Sequence, residues 1–246
     1  MIEKSKKNTH QDLHHKVAER ALVVGDPDKA AEAAELLENA EEIWNMRSYR
    51  AFTGSYEGKK ITVCSHGVGA AGALAIFDKL FKAGVRTVIR AGTCGTFQEK
   101  VKAGDILIGT GSIREDRVTE EILPIEYPAI ADHQVTGALE EAAAEHGYNP
   151  HVGIIRSNDL FLSYVESQKQ DRLEKWRRVG VIGDDGEFSA LLVLASIYEV
   201  RAGGVFVTDG NASVDMDSWL NTPTLDAVAQ GKKMILEIGI SALARL

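Results

Sequence analysis

Short, wholly apolar runs alternate along this chain with longer amphipathic stretches, the pattern of strands buried on both faces and separated by helices. Ala21-Leu22-Val23-Val24 is the first such run; Gly25-Asp26-Pro27 breaks it, and Asp28 to Leu37 is rich in helix formers. Arg50 to Tyr56 and Lys60 to Cys64 read as two strands joined by Glu57-Gly58-Lys59. His66-Gly67-Val68-Gly69-Ala70-Ala71-Gly72 then leads into a long helix that ends near Ala83-Gly84. Further strands are predicted at Thr87 to Ile89, Asp105 to Gly111, His151 to Arg156, Val179 to Ile182 and Gly204 to Thr208. Helices are predicted at Gln134 to His146, Glu166 to Arg178, Phe188 to Arg201 and Thr224 to Arg245. Residues 1–19 form a polar lead-in with His10, His14 and His15, and the stretch from Arg114 to Ala131, with Pro124 and Pro128, is irregular. Together these elements predict a single α/β domain over residues 1–246, an α/β/α sandwich around a mixed, mostly parallel central sheet.

Candidate chemistry falls at the strand ends. Thr87-Val88-Ile89-Arg90-Ala91-Gly92-Thr93-Cys94-Gly95 reads as an apolar strand that ends in a cation and breaks into a glycine-flanked loop. Ligands of open α/β sheets collect at carboxyl ends of strands, and a guanidinium can grip an oxyanion in two places, so this loop reads as an anion site. The structural alternative is that Arg90 pairs with a carboxylate to close the strand. Gly25-Asp26-Pro27 is a strand, a turn and a helix start, which presents N–H groups to an anion but equally suits a plain cap. Ser157-Asn158-Asp159-Leu160-Phe161 is a polar turn carrying an aromatic, and Asp209-Gly210 closes the last strand. The ends at Gly25, Arg90, Phe161 and Asp209 can share one crevice. Gly67-x-Gly69-x-x-Gly72 satisfies a dinucleotide fingerprint, which expects an acid about 20 residues on. Arg90 stands there instead, which leaves only a 2′-phosphorylated dinucleotide as the ligand of an NADP-binding reading.

Composition narrows the classes. With 246 residues, a formal charge of −8 and a pI near 5.4, the chain is poorly suited to non-specific contacts with a phosphate backbone, so no nucleic-acid partner is expected. Any positive site must be local. Cys64 and Cys94 have no CxxC or histidine-spaced partner, so neither a zinc site nor a disulfide framework is predicted. The amino-terminal residues have no apolar core of a signal peptide and no apolar run reaches about 18 residues, so a cytoplasmic setting away from membrane is expected.

Taken in order, Val24-Gly25-Asp26-Pro27, Ser65-His66-Gly67-Val68-Gly69, Arg90-Ala91-Gly92-Thr93-Cys94-Gly95, Arg114-Glu115-Asp116, Ser157-Asn158-Asp159-Leu160-Phe161, Gly186-Glu187 and Asp209-Gly210 resemble the nucleoside phosphorylase family that holds hexameric purine nucleoside phosphorylases and uridine phosphorylases. The glutamine and arginine with which uridine phosphorylases hold a pyrimidine are not apparent from Asn158 to Gln170, so the resemblance is closest to the protozoan purine-specific branch.

What the resemblance implies is phosphorolysis of purine ribonucleosides such as inosine and guanosine to free base and ribose 1-phosphate, without metal or organic cofactor. It implies a phosphate pocket of Gly25, Arg90 and Thr93, with Arg47 supplied by a neighbouring subunit of a homo-oligomer, a hexamer built as a trimer of dimers. Lys29 stands where the family carries an arginine, keeping the charge but losing the fork. Ribose would lie over Glu187, with Gly186 replacing the usual methionine, and His10 would reach the 5′ hydroxyl across the interface. Phe161 would lie against the base, surrounded by Val68, Cys94 and Gly95. Asp209 would donate to purine N7. At an ordinary pKa of about 3.9 an aspartate is protonated about once in a thousand at pH 7, a cost of roughly 4 kcal/mol, so Asp209 is expected to be buried beside the base. Hydrolysis by water on the same fold and a noncatalytic nucleoside- or NADP-binding module are the alternatives.

Overall fold

The computed structural model describes residues 15–96, 98–159, 169–211 and 222–246, the side chains of 169–173, 211 and 222 excepted. Alternation along the strands decides the layering. Leu22 and Val24 of β1 (Arg20–Val24) join one apolar cluster, whereas Ala21 and Val23 join another. Because successive side chains leave a strand on opposite faces, the sheet is covered on both sides. The first face carries α1 (Pro27–Ala34), α4 (His133–Glu145) and α7 (Thr222–Arg245); the second carries α2 (Ala70–Ala83) and α6 (Phe188–Ile197). A shorter helix, α3 (Arg117–Ile122), and α5 (Lys169–Arg178) complete the helices among the described residues. This is the expected mixed α/β sandwich.

The remaining strands are β2 (Glu38–Met46), β3 (Tyr49–Tyr56), β4 (Lys59–Ser65), β5 (Thr87–Thr96), β6 (Ile106–Glu115), β7 (Ala129–Ile130), β8 (His151–Asn158), β9 (Gly183–Asp185) and β10 (Arg201–Asn211). The pairings β1–β4, β1–β5, β5–β10, β6–β8 and β8–β9 are parallel. Those of β2–β3, β3–β4, β5–β9, β6–β7 and β6–β10 are antiparallel. Since β5 bonds to both β10 and β9, the strands β5, β10, β6, β8 and β9 close into a ring, from which β1, β4, β3 and β2 extend as an open sheet. The ring brings the ends of β5, β9 and β10 side by side.

Several local expectations shift. The predicted break after Arg90 does not occur: β5 continues to Thr96, with Phe206 opposite Gly92 and Gly210 opposite Gly95. Gly92 serves close approach, because a Cβ there would come within 3.0 Å of the Arg90 guanidinium. The strand predicted at Val179 to Ile182 lies instead at Gly183–Asp185, with Val181 and Ile182 plugging the core beside it. Glu38–Met46, polar along most of its length, is an edge strand paired only with β3, where charge on an open edge is an advantage. The predicted helix from Phe188 to Arg201 stops at Ile197, since Arg201 already pairs with Thr87.

Candidate active site

Two helix starts face each other across Arg90. The N-cap of α2 is Gly69, which has no side chain to satisfy the orphan N–H groups, and its own N–H is bonded at 2.6 Å to Oε1 of Glu187. At the start of α6, Oδ2 of Asp185 accepts from the N–H groups of Glu187 at 2.9 Å and Phe188 at 2.7 Å. Arg90, 4% exposed, lies between these two carboxylates. Its Nε donates to Asp185 Oδ2 at 3.2 Å, and its Nη2 to Asp185 Oδ1 at 2.5 Å and Glu187 Oε2 at 2.7 Å. Its Nη1 donates to Nε2 of His66. Four of the five guanidinium N–H groups are therefore committed to protein acceptors. The carboxylate-pairing reading of Arg90 holds, and one N–H is left for a ligand.

Because Nε2 of His66 accepts from a cation, the ring proton sits on Nδ1 and donates to the Gly67 carbonyl at 2.7 Å. Burial and the neighbouring guanidinium both hold His66 well below its usual pKa, so it is neutral. Burial works against the charge of Arg90, but Asp185 and Glu187 outweigh it and keep the guanidinium protonated. Burial pushes Glu187 above the usual carboxylate range, opposed by Arg90 and by the Gly69 N–H.

Where β10 lies on β5 the arrangement is built differently. The β5–β10 register slips between Thr208, opposite Cys94, and Gly210, opposite Gly95, so Asp209 is the extra residue of a bulge, a device that re-aims a side chain. The expectation of a buried Asp209 is not met: the bulge carries it off the ladder and it is exposed. Surrounding protein still strips enough water from its carboxyl to raise the pKa, with the charge of Asp185 adding to the rise and the Thr93 hydroxyl and Lys232 opposing it. Cys94, buried, marks the meeting point. Desolvation lifts its thiol, and the charges of Asp209, Asp185 and Asp184 lift it further, with Arg90 opposing. The strand ends at 90, 185 and 209 thus converge.

Beside Gly95, Asp184 accepts from Arg156 Nη1 at 3.1 Å and Asn158 Nδ2 at 2.8 Å, both on its Oδ1. Arg156 is itself braced by Glu115 at 2.6 Å. Burial raises Asp184 to about 6 against the pull of Arg156 and Asn158.

The other expected residues divide. A side-chain carbon on Gly25 would stand 4.0 Å from the His66 ring, which puts Gly25 beside the Arg90 cluster. Asp26 fills the start of α1 by accepting from Asp28 and Lys29 N–H groups, so the cap reading of that turn is right. Lys29 is engaged with Glu32 at 2.5 Å. Arg47 is exposed in the two-residue connection between β2 and β3 with φ of 59°. Val68 is 73% exposed, Cys94 has its sulfur packed toward Gly183, and Gly186 has open space where a Cβ would be. His10 and Phe161 lie outside the described residues.

Sequence reasoning gave no role to His66, Asp185, Asp184 or Arg156. The signal was the acidic run from Gly183 to Glu187, too charged to be buried without cations from elsewhere. The dinucleotide reading of Gly67 to Gly72 fails on geometry, because the N–H at the helix start is held by the Glu187 carboxylate. Among the described residues there is no group of histidine, cysteine, aspartate and glutamate that could hold a metal, and no helix long and apolar enough to cross a membrane.

A ringed mixed sheet with a carboxylate-held arginine at one end and a lifted aspartate at the other is the framework of a nucleoside-cleaving transferase, and residues 19–238 match the family described as the Phosphorylase superfamily. The chain belongs to that superfamily, and its activity is of the nucleoside phosphorylase, glycosyl-transferring kind. It is 34% identical over 190 residues to the purine nucleoside phosphorylase of Plasmodium vivax, covering 77% of each chain. Over 241 residues it is 30% identical to the uridine phosphorylase of Escherichia coli, covering 92% of this chain and 91% of that one. The purine nucleoside phosphorylase of Toxoplasma gondii, solved with immucillin-H, superposes with a TM-score of 0.87 at 30% identity, covering 94% of this chain and 92% of that one.

Proposed function

We propose that the protein is a purine nucleoside phosphorylase acting on inosine and guanosine. The observation that carries this reading is the bulge-borne Asp209, whose carboxyl is raised by the protein around it where β10 lies on β5. A purine leaves more easily when N7 is protonated, and every unit by which the aspartate's pKa rises removes about 1.4 kcal/mol from the cost of holding that proton.

Glu187 receives the sugar. A carboxylate has about four lone-pair sites, and two are used by Gly69 and Arg90, leaving two for the 2′ and 3′ hydroxyls. Arg90 supplies charge and its last N–H to phosphate, together with Gly25 and Thr93. A guanidinium at about 4 Å from one phosphate charge contributes very roughly 4 kcal/mol at an effective dielectric near 20. Arg47, exposed at a hairpin tip, adds the second cation to a neighbouring subunit's site, in a hexamer arranged as a trimer of dimers. Lys29 stays with Glu32 unless phosphate draws it away. Val68, Cys94, Gly95 and Phe161 surround the base, and His10 meets the 5′ hydroxyl. The chain works as one cytoplasmic domain without metal or organic cofactor. The relatives from Plasmodium vivax and Toxoplasma gondii support a purine substrate.

A second reading, hydrolysis by water, draws on the near-saturation of Arg90, which leaves little for phosphate. One assay decides: base release from inosine, guanosine, adenosine and uridine, with and without phosphate. Purine release that depends on phosphate is expected. Uridine cleaved as fast as inosine would overturn the purine assignment, and equal rates without phosphate would favour hydrolysis.

A further inference from the structure

We infer that Asp184 reads the far edge of the base, accepting a hydrogen bond from a ring N–H or amino group, so that 6-oxopurines are taken in preference to adenine. This rests on the purine reading of the site.

Gly95 of β5 pairs with Gly210 of β10 on one side and with Asp184 of β9 on the other. Adjacent strands lie about 4.8 Å apart, so Asp209 and Asp184 stand on strands roughly 10 Å from each other, with a bare glycine between them. A purine about 4 Å from N7 to N1, with a hydrogen bond of about 2.8 Å at either end, spans a similar distance. The Cβ that Gly95 lacks would stand 3.8 Å from the Asp184 Cβ, so the glycine faces the same side of the sheet as that carboxylate.

The carboxylate is half-used. Oδ1 takes both protein donors, Arg156 and Asn158, while Oδ2 accepts no hydrogen bond among the described residues, although the side chain is only 9% exposed. That oxygen is free to accept from a ligand N–H, the donor that a ring nitrogen or an amino group supplies. Glu115 and Asp184 flank Arg156 from two strands, which braces the carboxylate in place. Its pKa of about 6 leaves it ionised at pH 8. Inosine and guanosine present N1–H, and guanosine an amino group beside it. Adenosine presents a lone pair at N1, which an ionised carboxylate repels.

The test compares inosine with 1-methylinosine, which lacks the N1–H, at pH 8 with phosphate. We expect kcat/KM for the methylated substrate to fall about 10- to 100-fold in the wild type. In Asp184→Ala that penalty should shrink and the preference for inosine over adenosine should narrow by a similar factor. If the variant folds poorly, the two wild-type rates still decide, because equal values would overturn the proposal. A uniform loss on inosine, 1-methylinosine and adenosine in the variant would also overturn it, since it would mean that Asp184 only braces Arg156. Failure of the wild type to cleave inosine at all would instead count against the purine reading.

Discussion

The two ends of the candidate site solve opposite problems. Around Arg90 the charges are buried, mutually paired and tied into the starts of α2 and α6, so the cation and its two carboxylates are held rigidly before any ligand arrives. Around Asp209 and Asp184 the carboxylates are raised toward the neutral form, one on an exposed bulge and the other with an idle oxygen. The sugar is common to uridine and purine nucleosides alike, and a preorganised end suits a constant ligand. The base varies, and the end proposed to meet it is built from departures: a bulge, a short strand and a glycine-rich acidic run. Similarity to uridine and purine phosphorylases alike fits a chain whose identity at the first end says little about the second.

The largest expected effect is at the exposed end. Asp209→Ala should lower kcat for inosine by about 10²- to 10⁴-fold, the range for a general acid, while phosphate binding and melting temperature stay near wild type. With Asp209 as the proposed acid, active when protonated, the wild-type kcat should fall as pH rises through its raised pKa, and Asp209→Asn should lose that limb. Near-normal turnover in the alanine variant would remove the contrast between the two ends.

The buried end should fail through stability. Arg90→Ala leaves Asp185 and Glu187 facing each other without their cation, and removing one partner of a buried pair typically costs about 3–5 kcal/mol. The sign with pH follows from Glu187. Burial and Asp185 already push its carboxyl up and Arg90 opposes them, so in the variant the folded-state pKa rises further. A raised carboxylate pKa stabilises the fold at low pH and is lost as pH rises through it, so the deficit against wild type should be smaller at pH 5 than at pH 8. Denaturant melts at the two pH values check this; an equal deficit would mean that packing, not charge, is what Arg90 supplies.

Much of this was legible in the chain. Strand-helix alternation gave the sandwich because fully buried strands must be apolar throughout, as in β1 and β5. Arg90 and Asp209 were visible as polar residues at the ends of such runs, and Glu187 through the family resemblance at the opening of a helix. What stayed hidden depends on neighbours far along the chain. The strand Glu38–Met46 carries no apolar period, since an edge strand is held by its backbone bonds to β3. Ring closure needs β5 to bond both β9 and β10, which no local pattern encodes. Asp185 looked like loop because its cation lies 95 residues away. The bulge at Asp209 is a property of register, set only once β10 lies on β5.

The smallest effect separates strain from function. Arg47 is a non-glycine residue in left-handed backbone, with φ of 59°, on an exposed two-residue connection. Such a conformation costs an L-residue on the order of 1 kcal/mol and persists where something else requires the side chain. Glycine adopts the same backbone without that cost, so Arg47→Gly should leave stability unchanged or raise it by up to about 1 kcal/mol. If the guanidinium completes a neighbouring subunit's phosphate site, the same variant should raise KM for phosphate about tenfold or more with little change in kcat. Mixing it with Asp209→Ala should then restore activity, because one interface would hold an intact Asp209 and an intact Arg47. Unchanged phosphate KM would leave Arg90 as the sole guanidinium at the site, and with a single uncommitted N–H that arginine would then have to release a carboxylate to hold phosphate firmly. The buried end would in that case be as adjustable as the exposed one.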